Sequence, residues 1–276
     1  MRVGALALYL VAIAGGTSCT SSGSTSGAPS VSVRVSDAGV DTDGATQGSI
    51  DDATAAEDGG DGSLTYDVDA LGVPTFVTTD FLDVTQLARI SRFRSGAGHD
   101  YSDGIERCRS MKHYYEPNAA LDWTKIPVRA PVSGTVDRMD PEATYGMQPQ
   151  IRSDAQPAFH IIVFHVDPVV QVGDHVNAGQ VLGTHASQDT DFDIAVSVDA
   201  PTGQILVSYF DVMTAPLFET YLPLGITDRS QVVIDAAERD LAPLTCSADG
   251  NFTGGGVLPD GGWIPDWVAF GADGGP

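Results

Sequence analysis

Basic residues are scarce in this sequence of 276 residues. Lysine and arginine together number 14, against 37 aspartates and glutamates, so the formal net charge is −23. The isoelectric point is about 4.2. Binding to nucleic acid requires a basic surface that faces the phosphate backbone, and the composition argues against that class of protein. It argues equally against electrostatic docking on an anionic membrane surface.

Cysteine is also rare, with three in the whole chain, and no CxxC or similar metal-binding spacing occurs. If Cys19 is modified, as argued below, Cys108 and Cys246 remain. An even pair in an exported protein favours a disulfide bond, worth about 4 kcal/mol in the chain-entropy model. Two separate buried thiols are the alternative.

Long hydrophobic runs are missing too. The apolar stretch over residues 5–14 follows Arg2 and is too short to cross a bilayer as a helix. With the small residues that precede Cys19, it resembles a bacterial lipoprotein signal peptide over residues 1–18, in which Cys19 is acylated. The alternative is a secretory signal cleaved near Ser18. Either interpretation predicts export, and the first predicts a lipid anchor in the cell envelope.

Large apolar residues are few in residues 19–72, where ten acidic residues accompany a single arginine, Arg34. Such a segment buries too little surface to offset its ordering entropy, and we expect a disordered acidic linker. Its root-mean-square reach would be roughly 40 Å. The folded domain is predicted over residues 73–245, followed by a Gly- and Pro-rich tail over residues 246–276.

Short strand-like segments separated by turn residues fill the chain from Ile126 onward. Turn signals include Ser133-Gly134, Gly173-Asp174 and Asn177-Ala178-Gly179. Regularly spaced short strands of this kind are typical of an all-β sandwich or barrel. The sequence therefore predicts a mainly β fold.

Two segments carry a resemblance to a known family. "VRAPVSGTV" (128–136) and "VQVGDHVNAGQVLGTH" (170–185) resemble the paired halves of the hybrid-motif β-barrel. Lipoyl and biotinyl carrier domains share this pattern with the lysostaphin-type (LytM-like) peptidoglycan endopeptidases. Carriers need a lysine between the halves, and none stands between Val136 and Val170. The endopeptidase resemblance remains, over roughly residues 93–215.

That resemblance implies a metal site. "GAGHDYSD" places His99 and Asp103 where the family has its first two zinc ligands, and "IVFHVD" places His165 where it has a catalytic histidine. The family's third motif is H-x-H, whose second histidine completes the zinc site. Here that position reads Asp191-Phe192-Asp193, with both acids on one face of a predicted strand.

Aspartates in place of imidazoles change the expected chemistry. A set of His99, Asp103 and Asp193 would leave little residual positive charge on zinc, so the metal would acidify its water less. One hypothesis is a degenerate peptidase-like domain that binds peptidoglycan or a cell-wall protein. A second is a divergent metal-dependent endopeptidase, with His165 and Asp191 as catalytic residues.

A third hypothesis gives the acid pair a harder cation such as Ca²⁺, or hydrogen bonds alone, in a structural or adhesive surface domain. Among the other histidines, we expect His113 and His175 at the surface and His160 on the strand face opposite His165. His185, at the end of "GTH", is a possible substitute ligand.

Overall fold

The computed structural model describes residues 64–142 and 144–270. The predicted signal peptide, Cys19 and most of the predicted linker lie outside the described residues. Within them, the prediction of a mainly β fold is confirmed: one antiparallel sheet curls into a half-barrel.

Strands dominate the described chain, and the helices are all short. The strands are β1 (Leu87–Ser91), β2 (His113–Pro117), β3 (Pro127–Arg129), β4 (Gly134–Glu142), β5 (Gly146–Ser153), β6 (Phe159–Val163), β7 (Val166–Pro168), β8 (His175–Val176), β9 (Val181–His185), β10 (Phe192–Ala200), β11 (Gly203–Val207), β12 (Leu244–Cys246), β13 (Phe252–Gly255) and β14 (Trp267–Ala269). The α-helices are α1 (Val68–Leu71), α2 (Tyr209–Val212), α3 (Ala215–Phe218) and α4 (Ala236–Leu241). Short 3₁₀-helices span Val84–Gln86, Trp123–Lys125, Glu219–Leu224 and Arg229–Val232. No helix of the described residues is long and apolar enough to cross a membrane.

The main sheet runs in the order β14-β1-β2-β10-β6-β5-β7-β9-β3, with β11 beside β10 and β4 beside β5 and β8. Every pairing is antiparallel. β10 lies near the middle and is buried along nearly its whole length. Alternate residues from Phe192 to Ala200 form an apolar face, whereas the other face is mixed and carries Asp193, Ala195, Ser197 and Asp199. A charged residue on this strand is then unusual and needs an internal partner.

Two glycines of the paired barrel motifs allow close contact between strands. A Cβ at Gly134 would lie 2.2 Å from the carbonyl oxygen of Arg152, and one at Gly183 would lie 2.1 Å from that of Asp167. Neither distance is compatible with a side chain, so the backbones can approach only where glycine stands. The motif glycines thus allow the close approach of β4 to β5 and of β9 to β7.

The folded part extends beyond both predicted boundaries. Tyr66, in the predicted linker, packs its ring 5.2 Å from that of Phe159. At the other end, β12 pairs with β13, and β14 adds an edge strand to β1. The predicted tail over residues 246–276 is therefore partly a component of the sheet.

A disulfide bond joins Cys108 to Cys246 across 138 residues of sequence, with the Cα atoms 5.7 Å apart. It links the loop before β2 to strand β12. The same loop carries His99, Asp103 and Lys112, so the bond ties the segment that forms one wall of the site to the C-terminal part of the chain.

Candidate functional site

A cleft of about 530 Å³ opens beside the start of β10. Its polar lining includes His99, Glu142, His165, Asp189, Asp191 and Asp193. Aromatic side chains form part of its walls, namely Tyr114, Trp123 and Tyr145. Four carboxylates thus line the cleft, and no lysine or arginine of the described residues does. Its size is that of a site for a small molecule or a short peptide.

Strand pairing determines where the two aspartates of "DFD" lie. Asp193 pairs with Tyr114 of β2, and Phe192 pairs with Tyr115. Lys112 stands two residues before Tyr114, so its side chain leaves the sheet on the same face and meets Asp193 diagonally. The register therefore brings the ammonium of Lys112, which directly precedes β2, to a carboxylate on the neighbouring strand β10.

Lys112 and Asp193 form a buried ion pair. Nζ of Lys112 lies 2.6 Å from Oδ2 of Asp193, and the side chains are only 2% and 1% exposed. Burial alone lowers the pKa of Lys112, but the Asp193 charge outweighs that effect and raises the pKa above its usual value. Burial likewise raises the pKa of Asp193, yet Lys112 and His165 outweigh it and the pKa is lowered. Both groups are therefore charged at neutral pH.

The ammonium is enclosed by aromatic rings. Nζ of Lys112 lies 4.2 Å from the ring centroid of Phe164, 4.8 Å from that of Tyr114 and 5.1 Å from that of Tyr101. Rings at these distances attract a cation through their negative faces. His99 completes the surroundings, because its Nε2 lies 3.5 Å from the same Nζ while its Nδ1 lies 2.9 Å from the carbonyl oxygen of Asp100. The two predicted metal ligands His99 and Asp193 thus meet at an ammonium group.

His165 is held in a strained backbone conformation beside this pair. Its φ is 59°, in the left-handed region that residues other than glycine rarely adopt. Oε2 of Glu142 accepts a hydrogen bond of 2.9 Å from the His165 backbone N–H and lies 2.8 Å from the ring Nδ1. Nε2 of the ring lies 3.4 Å from Oδ2 of Asp193. Glu142 therefore holds the backbone of His165 by a hydrogen bond and places its negative charge beside the ring.

The charge of His165 follows from these neighbours. Burial by itself lowers the pKa of His165, but the hydrogen bonds and charges of Asp193 and Glu142 outweigh it and raise the pKa to about 9. The imidazole is therefore an imidazolium at neutral pH, with both ring nitrogens carrying protons. A general base must be neutral to accept a proton, so His165 is unsuited to that role in this state.

Asp191 stands apart from this network. Its carboxylate accepts no hydrogen bond from the residues that the structure describes. Burial, followed by the charges of Asp193 and Glu116, raises the pKa of Asp191 to about 6. Both acids of "DFD" line the cleft, but Oδ2 of Asp193 is paired with Lys112 and His165, whereas Asp191 forms no ion pair among the described residues.

Asp103 does not join the cleft. Its Oδ1 accepts hydrogen bonds of 2.8 Å from the backbone N–H groups of Ile105 and Glu106, and its Oδ2 accepts one of 3.0 Å from Leu206. The carboxylate thus caps its own loop and attaches it to β11. The sequence predicted that Asp103 would lie beside His99 and Asp193 in one metal site. In the structure, His99 and Asp193 meet at the Lys112 ammonium, whereas the Asp103 carboxylate is bound by backbone N–H groups and does not reach that group.

The other histidines have structural roles. The prediction of a surface position for His113 is wrong: it is fully buried, with Nδ1 2.9 Å from the Ser91 carbonyl oxygen and Nε2 2.9 Å from Oγ of Ser208. His185 directs Nδ1 at the Ser187 carbonyl oxygen and Nε2 at that of Asp191. Neither nitrogen of His185 is directed into the cleft as a substitute ligand.

Zinc, which the family resemblance implies, does not fit this donor set. No group of three histidine, cysteine, aspartate or glutamate side chains is arranged to hold a metal ion in the described part of the chain. His99 and Asp193 already contact Lys112, and Asp103 is engaged elsewhere. A dication beside the fixed ammonium of Lys112 would also meet strong repulsion.

Sequence reasoning missed Lys112 and Glu142. Lys112 lies outside the motifs of the resemblance, and its only signal was its place in "SMKHYY", two residues before a strand position that pairs with Asp193. Glu142 ends β4 and has no sequence signal of its own. Both depend on a strand register that the sequence does not state.

Comparison with known proteins shows that the chain is similar to several solved structures in its fold. No protein-family model and no curated protein sequence matches the chain. The LytM protein of Ruminococcus gnavus aligns over 37% of this chain and 43% of its own, less than half its length, with 18% identity and a TM-score of 0.30.

Two further solved structures are similar in the same way. A chain of the SpoIIQ–SpoIIIAH pore forming complex aligns over 53% of this chain and 96% of its own, with 15% identity and a TM-score of 0.38. The catalytic domain of the M23 protein EnpA from Enterococcus faecalis, solved as a mutant, aligns over 49% and 93%, with 20% identity and a TM-score of 0.33. These values are low, and the chemistry of the site rests on its own geometry.

Proposed function

We propose that the chain is an exported, lipid-anchored protein whose domain resembles lysostaphin-type endopeptidases but binds the bacterial cell wall without hydrolysing it. The observation that carries this proposal is the Lys112–Asp193 ion pair, which occupies the centre where the resemblance places a metal. The open cleft beside it keeps the lining of a binding site.

An ammonium cannot replace a metal in hydrolysis. A catalytic metal offers an open coordination position, where bound water loses a proton near neutral pH. Lys112 has only N–H donors, and Asp193 and His99 face them from within the protein. With its pKa raised, Lys112 also does not act as a base or as a neutral nucleophile.

Binding needs none of these functions. It needs a preformed concave surface, and the charge network of Lys112, Asp193, His165 and Glu142 fixes one wall of the cleft rigidly. Peptidoglycan is the ligand that the motif resemblance suggests. The predicted signal peptide over residues 1–18 would export the domain to the compartment that contains peptidoglycan.

The test combines three measurements on the purified full chain: metal content, release of muropeptides, and cosedimentation with purified peptidoglycan. We expect no stoichiometric metal, no muropeptide release and clear cosedimentation. Thr190 lines the cleft, so the T190W variant should fill it and lose binding. Thr202 lies in the exposed turn between β10 and β11, and T202W is the matched control.

Each alternative predicts a different result. Stoichiometric metal with turnover would establish the divergent endopeptidase instead. A folded protein that neither hydrolyses nor binds peptidoglycan would point to the structural or adhesive surface domain. Incorporation of labelled palmitate in the producing cells, lost in C19A, tests the lipid anchor separately.

A further inference from the structure

We propose that the cleft recognises a primary ammonium group on its ligand, with Asp191 as the main anchor and Asp193 Oδ1 as the second acceptor. The inference rests on the proposed function, because it specifies the chemical class of wall peptide that the cleft would bind: one with an unmodified amine.

The charge of the lining is the first argument. Glu142, Asp189, Asp191 and Asp193 line the cleft together with one charged histidine, His165. Glu142 is satisfied within the protein, because Oε1 accepts from Gln148 and Oε2 from the His165 backbone. The carboxylates of Asp189 and Asp191 accept no hydrogen bond from the residues that the structure describes. The cleft therefore has an excess of acceptors and of negative charge.

A buried carboxylate oxygen without a partner, on a residue that lines the cleft, is the second, independent argument. Oδ1 of Asp193 is buried and has no hydrogen-bond partner among the described residues, although the residue is only 1% exposed. Oδ2 of the same carboxylate already faces Lys112 and His165. A buried carboxylate oxygen left without a donor is costly, so a ligand that brings N–H groups would gain from filling this position.

Strand geometry places the two acceptors within reach of one group. Asp191 and Asp193 are two residues apart and project from the same side of the chain, about 7 Å apart along an extended strand. An ammonium has three N–H donors and no acceptor, and it can contact both carboxylates when their side chains turn toward each other, so that the two oxygens lie within about 6 Å. The aromatic rings of Trp123 and Tyr145 in the same lining also favour a cation.

Other cations fit less well. A divalent metal prefers at least three protein ligands, and no such group is arranged here among the described residues. A guanidinium prefers a bidentate contact with a single carboxylate in one plane. The compact ammonium matches two separated oxygen acceptors better.

The experiment uses purified peptidoglycan before and after acetylation of its free amines, and measures cosedimentation of the full chain. For the wild-type protein, we expect acetylation to weaken binding by about ten- to hundredfold, as for the loss of a hydrogen bond to a charged group. D191N should bind untreated peptidoglycan as weakly as the wild type binds the acetylated material. Acetylation should then have no further effect on D191N.

A matched control separates this from bulk electrostatics. D260N removes the same charge from an exposed turn outside the cleft, where the side chain caps the N–H of Gly262. It should bind like the wild type and keep the full response to acetylation. Equal binding to both materials would overturn the ammonium inference and leave the proposed function intact. An equal response to acetylation in D191N would also overturn it, and no binding at all would overturn the proposed function.

Discussion

Replacing Lys112 with methionine removes the ammonium that neutralises Asp193 while keeping a side chain of similar length. Both side chains are almost completely buried, so the carboxylate cannot regain its hydration. Removing one partner of a buried ion pair typically costs about 3–5 kcal/mol. Because Nε2 of His165 lies 3.4 Å from the same oxygen and retains part of the attraction, we expect about 3 kcal/mol for K112M.

The measurement is the free energy of unfolding in urea for the wild type, K112M, D193N and the double variant. D193N alone leaves Lys112 buried without its counterion, so we expect a similar loss. The double variant removes both charges and should lose much less than the sum of the two single variants. The double-mutant cycle should therefore give a coupling free energy of at least about 2 kcal/mol.

Two results would refute this reasoning. If K112M loses less than about 1 kcal/mol, the site is open enough for water to solvate Asp193. If the cycle is additive, the two residues act independently, and the ammonium is not the cation of this centre. All four proteins must show the same dependence of the unfolding free energy on urea concentration. A different slope would mean that the variant changes the unfolded or the native state.

Three further predictions concern the rest of the molecule and the metal. Burial raises the pKa of Asp80 from 3.8 to about 6, so the folded state holds an extra proton and this group's contribution to stability falls by up to about 3 kcal/mol as the pH rises from about 4 to 6. Asp191 contributes a loss of the same sign in both proteins, so the measurement is the difference in the free energy of unfolding in urea between the wild type and D80N, which should change by that amount across the range. The C108S/C246S variant should be about 2–5 kcal/mol less stable in the same assay, and an unchanged midpoint would contradict a structural role for the bond. Added zinc should leave the melting temperature of the wild type unchanged, because the donor set does not hold it; a rise would contradict the assignment.

Local patterns predicted the fold class because strands and turns are encoded by neighbouring residues. The motif glycines Gly134 and Gly183 stand where backbones touch, and a sequence motif records such a steric requirement directly. The alternation rule also placed Asp191 and Asp193 on one side of the chain. Each of these inferences depends only on residues that are close together in the sequence.

The partners of the site residues depend on register, which is a long-range property. Lys112 and Asp193 are 81 residues apart, and their contact follows from the pairing of β2 with β10. Asp103 was placed in the metal site by its spacing from His99, yet three backbone N–H groups bind its carboxylate in the folded chain. Backbone donors in a loop leave no trace in sequence, so spacing alone could not exclude that competing role.

The two acids of "DFD" are therefore not equivalent, and the difference follows from charge balance. Lys112, Asp193, His165 and Glu142 form a chain of alternating charges with successive separations of 2.6, 3.4 and 2.8 Å. That chain is electrically neutral. Asp191 adds one more negative charge beside it and has no counterion in the network. The charge of Asp191 is therefore available to a ligand. The Lys112 ammonium is covalently part of the chain and cannot dissociate as a metal ion can. It therefore occupies the position beside Asp193 at any metal concentration.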